Sequence, residues 1–215
     1  MLSAEKANRR YFRQAYRTGR HGWSVERPSR YAVGFLRWLK RRIPGGSLLD
    51  VGCGEGRHAI AAARLGFNVT AVDYEPLALK RARQFAKAGK VEGIIFRKAD
   101  VLRLPFGCSF DVVLDYGCLH HQPKRDWPAY KAAILRALKP GGFYVLSVFS
   151  SRFGLFKRGG RAWHIAQGAY RRFFTTSDIA ALFGRDFDIL KLTEEKGNQR
   201  GFWHVLMRRR GGRAT

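Results

Sequence analysis

Acidic side chains are scarce in this chain. Sixteen Asp and Glu stand against 41 Lys and Arg, a net charge of +25. Such an excess either attracts nucleic acid or another polyanion or is the solvated surface of a GC-rich or heat-adapted organism in which Arg is abundant for other reasons. Cysteine is scarce too. Cys53, Cys108 and Cys118 have neither the number nor the spacing of a disulfide framework or a zinc site, so no metal is expected and a reducing, cytoplasmic setting is. No apolar run reaches membrane-spanning length, and no charged segment followed by an apolar one marks a secretory signal, so no membrane partner is expected. The acid-poor start, with Arg9, Arg10, Arg13, Arg17 and Arg20, has the composition of an organellar transit peptide. Tyr11, Phe12, Tyr16 and Trp23 interleave with it, and these suit a folded lid instead. The dinucleotide fingerprint is also missing: after Gly52 and Gly54 the position three residues on is Arg57, and Glu55 would repel a pyrophosphate at the helix start.

What is present is a rhythm. Ser29 to Arg42 reads as a helix with Tyr31, Phe35, Trp38 and Leu39 on one face, ended by Pro44-Gly45-Gly46. Strands at 47–52, 68–73, 94–98, 110–115 and 142–149 then alternate with helices at 56–65, 76–88 and 126–138. Asp126 is the expected cap of the last, with Pro128 in its first turn. This alternation predicts an α/β, doubly wound parallel sheet. Residues 151–174 break the rhythm and read as an insertion over the ligand crevice. A short helix from Thr176 to Gly184 follows, then strands at 187–192 and 202–207 joined by a turn at 196–199. At 215 residues the chain suits one domain: a basic extension or lid at 1–28, the domain at 29–210 and a tail at 211–215.

The centre of the chemistry is Leu48-Leu49-Asp50-Val51-Gly52-Cys53-Gly54-Glu55-Gly56-Arg57-His58. A buried strand runs into a glycine loop and then a helix, the crevice where open α/β sheets bind nucleotides. A ligand with an adenosine part and no phosphate fits it best. The pattern Asp-x-Gly-x-Gly-x-Gly resembles motif I of the class I S-adenosylmethionine (SAM) methyltransferases. Further matches follow in order: Asp73-Tyr74 after the second strand, Asp100-Val101 after the third, Phe110 to Asp115 as the fourth, and Leu138-Lys139-Pro140-Gly141-Gly142-Phe143 before the fifth.

The resemblance covers about residues 45–150. It implies a Rossmann-like sheet of seven strands, mostly parallel with an antiparallel last strand, and SAM as methyl donor. It assigns donor contacts to Asp50, Gly52, Cys53, Gly54 and Gly56. Asp73 would meet the ribose hydroxyls, Tyr74 the adenine face and Asp100 with Val101 the adenine edge; Asp115 completes the set. Gly-Cys-Gly-x-Gly-Arg, and Asp-x-Gly-Cys-x-His-His from Asp115 to His121, are similar to the tellurite-resistance and thiopurine-type small-molecule subset.

Methyl transfer asks the protein mainly to align nucleophile, methyl and sulfur in a dry pocket; a base is needed only where the acceptor keeps its proton. The loop after the fourth strand faces the acceptor. Its candidates are His120 or His121 as base and Asp115 as a contact. Arg57 is a candidate to steer an anionic acceptor, and Trp23, Tyr170 and Phe173 are candidates for a cover. Cys118 follows Gly117, whereas the enzymes that methylate cytosine carbon 5 place their cysteine after a proline. The expected acceptor is a small, anionic or soft-nucleophile molecule. Two alternatives rest on the basic surface: methylation of ribosomal or transfer RNA, or a catalytically silent SAM-binding assembly factor on RNA or the ribosome.

Overall fold

The computed structural model describes residues 4–19, 21, 27–152, 162–166, 168–195 and 201–211. Seven strands form one sheet: β1 (Ser47–Val51), β2 (Asn68–Asp73), β3 (Ile94–Lys98), β4 (Phe110–Tyr116), β5 (Leu138–Phe149), β8 (Phe187–Glu194) and β9 (Phe202–Arg209). Their order is β3-β2-β1-β4-β5-β9-β8. The first five run parallel, and β9 alone is antiparallel to its neighbours. The expected sheet is therefore the observed one.

Each strand alternates its side chains between two cores. Leu49, Val51, Val113 and Tyr144 face α5 (Trp127–Ala137) and α6 (Thr176–Phe183). Leu48, Ala71, Val112, Leu114 and Val145 face α2 (Arg30–Lys40), α3 (Arg57–Arg64) and Leu79 of α4 (Pro76–Ala88). Residues such as Leu48, Leu49, Val112 and Val113 are wholly buried, as strands covered on both faces must be.

Three local expectations change. Asp126 makes no side-chain cap on α5 and lies beside Arg125 instead. The true cap is on α6, where Thr175 and Asp178 exchange side-chain-to-backbone bonds of 3.1 and 2.9 Å, a capping box. β5 begins at Leu138 rather than 142, because Leu138 pairs with Phe110 before a register shift. The 151–174 insertion is not irregular throughout: β6 (Trp163–Ala166) and β7 (Ala169–Arg172) form a separate hairpin. Trp23 and the 196–199 turn lie outside the described residues.

Within the extension, residues Ala4–Thr18 form helix α1, which ends at Gly19 with a left-handed φ of +67°. Lys6, Arg10, Arg13 and Arg17 follow one stripe at helical spacing and are exposed, while Ala7, Asn8, Ala15 and Tyr16 are buried on the opposite side. Among the described residues no helix is long and apolar enough to cross a membrane.

Candidate functional site

The strand order reverses between β1 and β4, so the loops leaving their carboxyl ends part and leave a crevice. Val51 pairs with Asp115 at that point. A cavity of about 1120 Å³ opens there. Its lining includes Asp50, Gly52, Cys53 and Gly54 of the glycine loop, and Asp73, Tyr74, Asp100 and Val101 after β2 and β3. His120 and His121 line it from the loop after β4, and Tyr116, Phe149 and Phe202 add an aromatic cluster.

The glycine loop is shaped by what surrounds it. Gly52 and Gly54 have φ of +65° and +55°, a region where side chains strain the backbone. A Cβ on Gly52 would sit 2.9 Å from the Cys118 sulfur, and one on Gly54 would sit 2.8 Å from the Tyr16 hydroxyl. Gly56 has a different task. It does not line the cavity, and a Cβ there would press on Ala82 at 3.0 Å and Phe96 at 3.2 Å. It lets α3 start close against α4 and β3.

The acids differ in the same way. Asp50 is 2 % exposed and its Oδ2 has no hydrogen-bond partner. Burial, with Asp115 and Asp73 nearby, pushes its pKa up to about 8. Asp73 accepts the amide of Gly54 on Oδ2 and that of Glu75 on Oδ1, both at 2.9 Å. These bonds fix its direction and leave each oxygen a second lone pair; burial still raises its pKa to about 6. Asp100 accepts Leu102 N at 3.0 Å and pairs with Arg9 at 3.1 Å.

Asp115 is not brought to the cavity. It is wholly buried beneath the loop, where Oδ2 accepts the Tyr130 hydroxyl at 2.6 Å and the Tyr144 hydroxyl at 3.0 Å. The amides of Cys118 and Leu119 donate to it at 2.7 and 3.2 Å. It ties the loop to the core. Tyr170 and Phe173 are buried and also lie off the cavity wall. Cys118 lines the cavity, but burial pushes its thiol well above the usual range, which removes the thiolate a nucleophile requires.

Tyr11, Phe12 and Tyr16, the residues expected of a lid, line the cavity together with Arg9 and with Asn8, which sequence reasoning missed. Asn8 is 8 % exposed and bridges two loops: its Nδ2 donates to the His121 carbonyl and its Oδ1 accepts Tyr170 N–H, both at 2.7 Å. A lone asparagine in the stripe Ala7, Tyr11, Ala15 was the available signal. Phe149 and Phe202 were also missed. They pair across β5 and β9 with ring centroids 5.0 Å apart, a contact between strands that are remote in sequence. His120 stacks on Phe149 at 3.7 Å, and Tyr116 on Phe202 at 5.5 Å. Arg57 holds its guanidinium 5.2 Å from the Tyr116 ring centroid.

Residues 48–142 match the family model described as a methyltransferase domain. The chain is 27% identical over 128 residues to the 2-heptyl-1-hydroxyquinolin-4(1H)-one methyltransferase of Mycobacteroides abscessus, covering 59% of this chain and 55% of that protein. It is 36% identical over 118 residues to the ubiquinone biosynthesis O-methyltransferase of Thiobacillus denitrificans, covering 54% of this chain and 50% of that protein. This chain thus spans about half the length of those curated relatives. A solved structure follows it almost throughout. The Burkholderia thailandensis 1,6-didemethyltoxoflavin-N1-methyltransferase, crystallised with 1,6-didemethyltoxoflavin and S-adenosylhomocysteine, superposes with a TM-score of 0.81 at 26% identity, covering 98% of this chain and 92% of that one.

Sheet order and switch-point cavity define the class: a Rossmann-like methyltransferase fold. The family match makes the assignment specific. Residues 48–142 match a methyltransferase-domain model, and the chain is similar in sequence motifs and fold to class I, SAM-dependent methyltransferases.

Proposed function

We propose that this protein transfers the methyl group of SAM to a proton-bearing heteroatom of a small, flat, aromatic acceptor. The observation that carries the reading is a buried Asp50 oxygen with no hydrogen-bond partner in a cavity that an aromatic cluster also lines. The ammonium of a methionine moiety is a cation that would satisfy that oxygen. The bare backbone at Gly54 leaves room for that moiety, and Asp73 is aimed by two amide bonds to receive ribose hydroxyls. Tyr74 and Asp100 are assigned to the adenine. Tyr116, Phe149 and Phe202 give the cavity an aromatic lining that suits a flat aromatic acceptor. Arg57 and Arg171 add positive charge there, which favours an acceptor that is or becomes anionic.

SAM supplies an electrophilic methyl when bound. The chain's residues bind it, exclude water and hold the acceptor in line with it. Gly56 and Asp115, assigned to the donor by resemblance, serve instead to pack α3 and to pin the loop. The named substrates of the relatives, a hydroxyquinolone and a toxoflavin precursor, are planar aromatic molecules and agree with this acceptor class. A reducing, cytoplasmic setting fits three cysteines that are all free thiols.

The test is titration calorimetry with SAM and S-adenosylhomocysteine, followed by transfer assays on a panel of phenols and hydroxyquinolones. Asp73→Ala is expected to weaken SAM by about 1.5–3 kcal/mol, the range for hydrogen bonds to a charged group. Unchanged affinity refutes the ribose assignment. Transfer to no aromatic acceptor refutes the substrate class.

A further inference from the structure

We propose that the fold locks the adjacent histidines into opposite tautomers, so that His121 is the general base, through Nε2, and His120 can only donate. This rests on the methyl-transfer reading for its chemistry but on backbone geometry for its evidence. Backbone groups have one polarity each. The Tyr170 carbonyl lies 2.7 Å from His121 Nδ1 and can only accept, so Nδ1 carries the proton and Nε2 keeps the lone pair. The Phe149 amide lies 3.2 Å from His120 Nδ1 and can only donate, so the His120 proton sits on Nε2. Both rings line the cavity beside the aromatic wall. One therefore offers an acceptor and the other a donor.

Asn8 is the positioning residue. With the His121–Tyr170 bond, its two bonds close a ring: Asn8 to the His121 carbonyl, His121 to the Tyr170 carbonyl, and Tyr170 N–H to Asn8. The ring holds β7 and the loop in register, and with them the tautomer of His121. Phe12 meets the His121 ring edge-on at 4.9 Å, and Arg171 on β7 is the positive charge that acts on it. Burial pushes the His121 pKa down to about 4 and holds His120 well below its ordinary value, so both rings stay neutral.

In the step itself the acceptor oxygen uses a lone pair to bond the methyl carbon. The methyl–sulfur bond breaks and sulfur keeps its electron pair. The hydroxyl proton, made strongly acidic as the new bond forms, passes to His121 Nε2 and leaves to water with the product. A weakly basic imidazole suffices because the proton becomes acidic only during transfer. An acceptor that is already ionised has no use for it.

The experiment reads tautomers and turnover separately. Long-range proton–nitrogen spectra of protein labelled with ¹⁵N in its imidazoles, assigned with His120→Asn and His121→Asn, are expected to show Nδ1–H for His121 and Nε2–H for His120. The reverse or a mixture for His121 overturns the proposal, whatever the protein catalyses. Turnover is read on catechol, which keeps its proton, and on 4-nitrophenolate, which has lost it. His121→Asn preserves a donor near the Tyr170 carbonyl and is expected to lose about 10²–10⁴ on catechol and little on the phenolate. Equal losses on both overturn the base role. Asn8→Ala is expected to lower kcat on catechol more than it raises the KM for SAM, and to mix the His121 tautomers; a pure Nδ1–H signal in that variant overturns the positioning role. A wild type that methylates neither phenol defeats the hydroxyl-acceptor reading and the base role with it, while the spectra still decide the tautomer claim.

Discussion

Asp50 governs how this protein should respond to pH. Its pKa of about 8 lies far above the ordinary 3.8. The native state therefore holds a proton that the unfolded chain releases, and stability falls as pH rises from about 4 to about 8. Asp73 and Asp115, each about 6, add to the fall only at its acidic end. The buried histidines act oppositely: His121 and His204 are pushed down to about 4, so they lend stability that is lost as pH falls below 6.5. Between about 6.5 and 8 Asp50 is the one of these groups still titrating. Asp50→Asn is expected to flatten thermal stability across that window and to raise the apo Tm near pH 8, by about 2–4 °C for each kcal/mol recovered. The same variant is expected to bind SAM more weakly. Scanning calorimetry that shows the wild-type slope retained in Asp50→Asn would remove this assignment. Asp115→Ala should behave differently. It strands two hydroxyls and two amides, at about 1–3 kcal/mol for each donor left unsatisfied. A folded variant with wild-type denaturant midpoint would show that Asp115 is not the pin described.

At the scale of elements, α1 supplies part of the cavity wall. It reaches the rest of the site through Asn8, through the Arg9–Asp100 pair at 3.1 Å and through the Tyr16 hydroxyl above Gly54. The Arg9 and Tyr16 contacts meet the loops assigned to the donor, so donor binding and helix docking should reinforce each other. The Arg9 pair is surface-exposed and contributes little by itself; the buried Asn8 bonds carry more. Hydrogen exchange is the direct reading. Adding S-adenosylhomocysteine is expected to slow amide exchange across 4–18 and to leave α2 unchanged. Equal exchange in α1 with and without ligand would mean that it is a fixed wall rather than a lid.

The whole molecule carries +25 charges, and their purpose is separable from catalysis. Arg10, Arg17, Arg37 and Arg41 are exposed and outside the cavity wall. Reversing all four to Glu is expected to leave kcat and KM for a small acceptor within about twofold, since charges beyond a Debye length of about 8–10 Å are largely screened. Filter binding of folded RNA decides what the charge is for. An RNA partner engaged through about six or more phosphate contacts would show affinity falling steeply with salt, and the quadruple variant would lower that slope. Turnover that requires RNA would overturn the small-molecule reading.

How much of this was legible beforehand depends on distance along the chain. The place of Asp50 to Gly54, Asp73 and Asp100 on the cavity was readable because they stand at or just beyond the carboxyl ends of β1, β2 and β3, and strand ends of a doubly wound sheet converge by topology alone. The seven strands were readable from local periodicity and turn residues, and the antiparallel β9 from the family resemblance. Which face a residue turns was not readable. Asp115 and Gly56 sit in the right motifs yet point into packing, because Tyr130, Tyr144, Ala82 and Phe96 arrive there from other elements. The Phe149–Phe202 wall and the Asn8 ring join residues 53 and 113 to 162 positions apart. The amino-acid sequence by itself determined the strands and the crevice, because these follow from patterns within single elements, and its motifs carried the resemblance that names the donor. Only the tertiary structure decided the aromatic cluster, the Asn8 ring and the different partners of two adjacent histidines, because each is set by a partner that folding alone brings into reach.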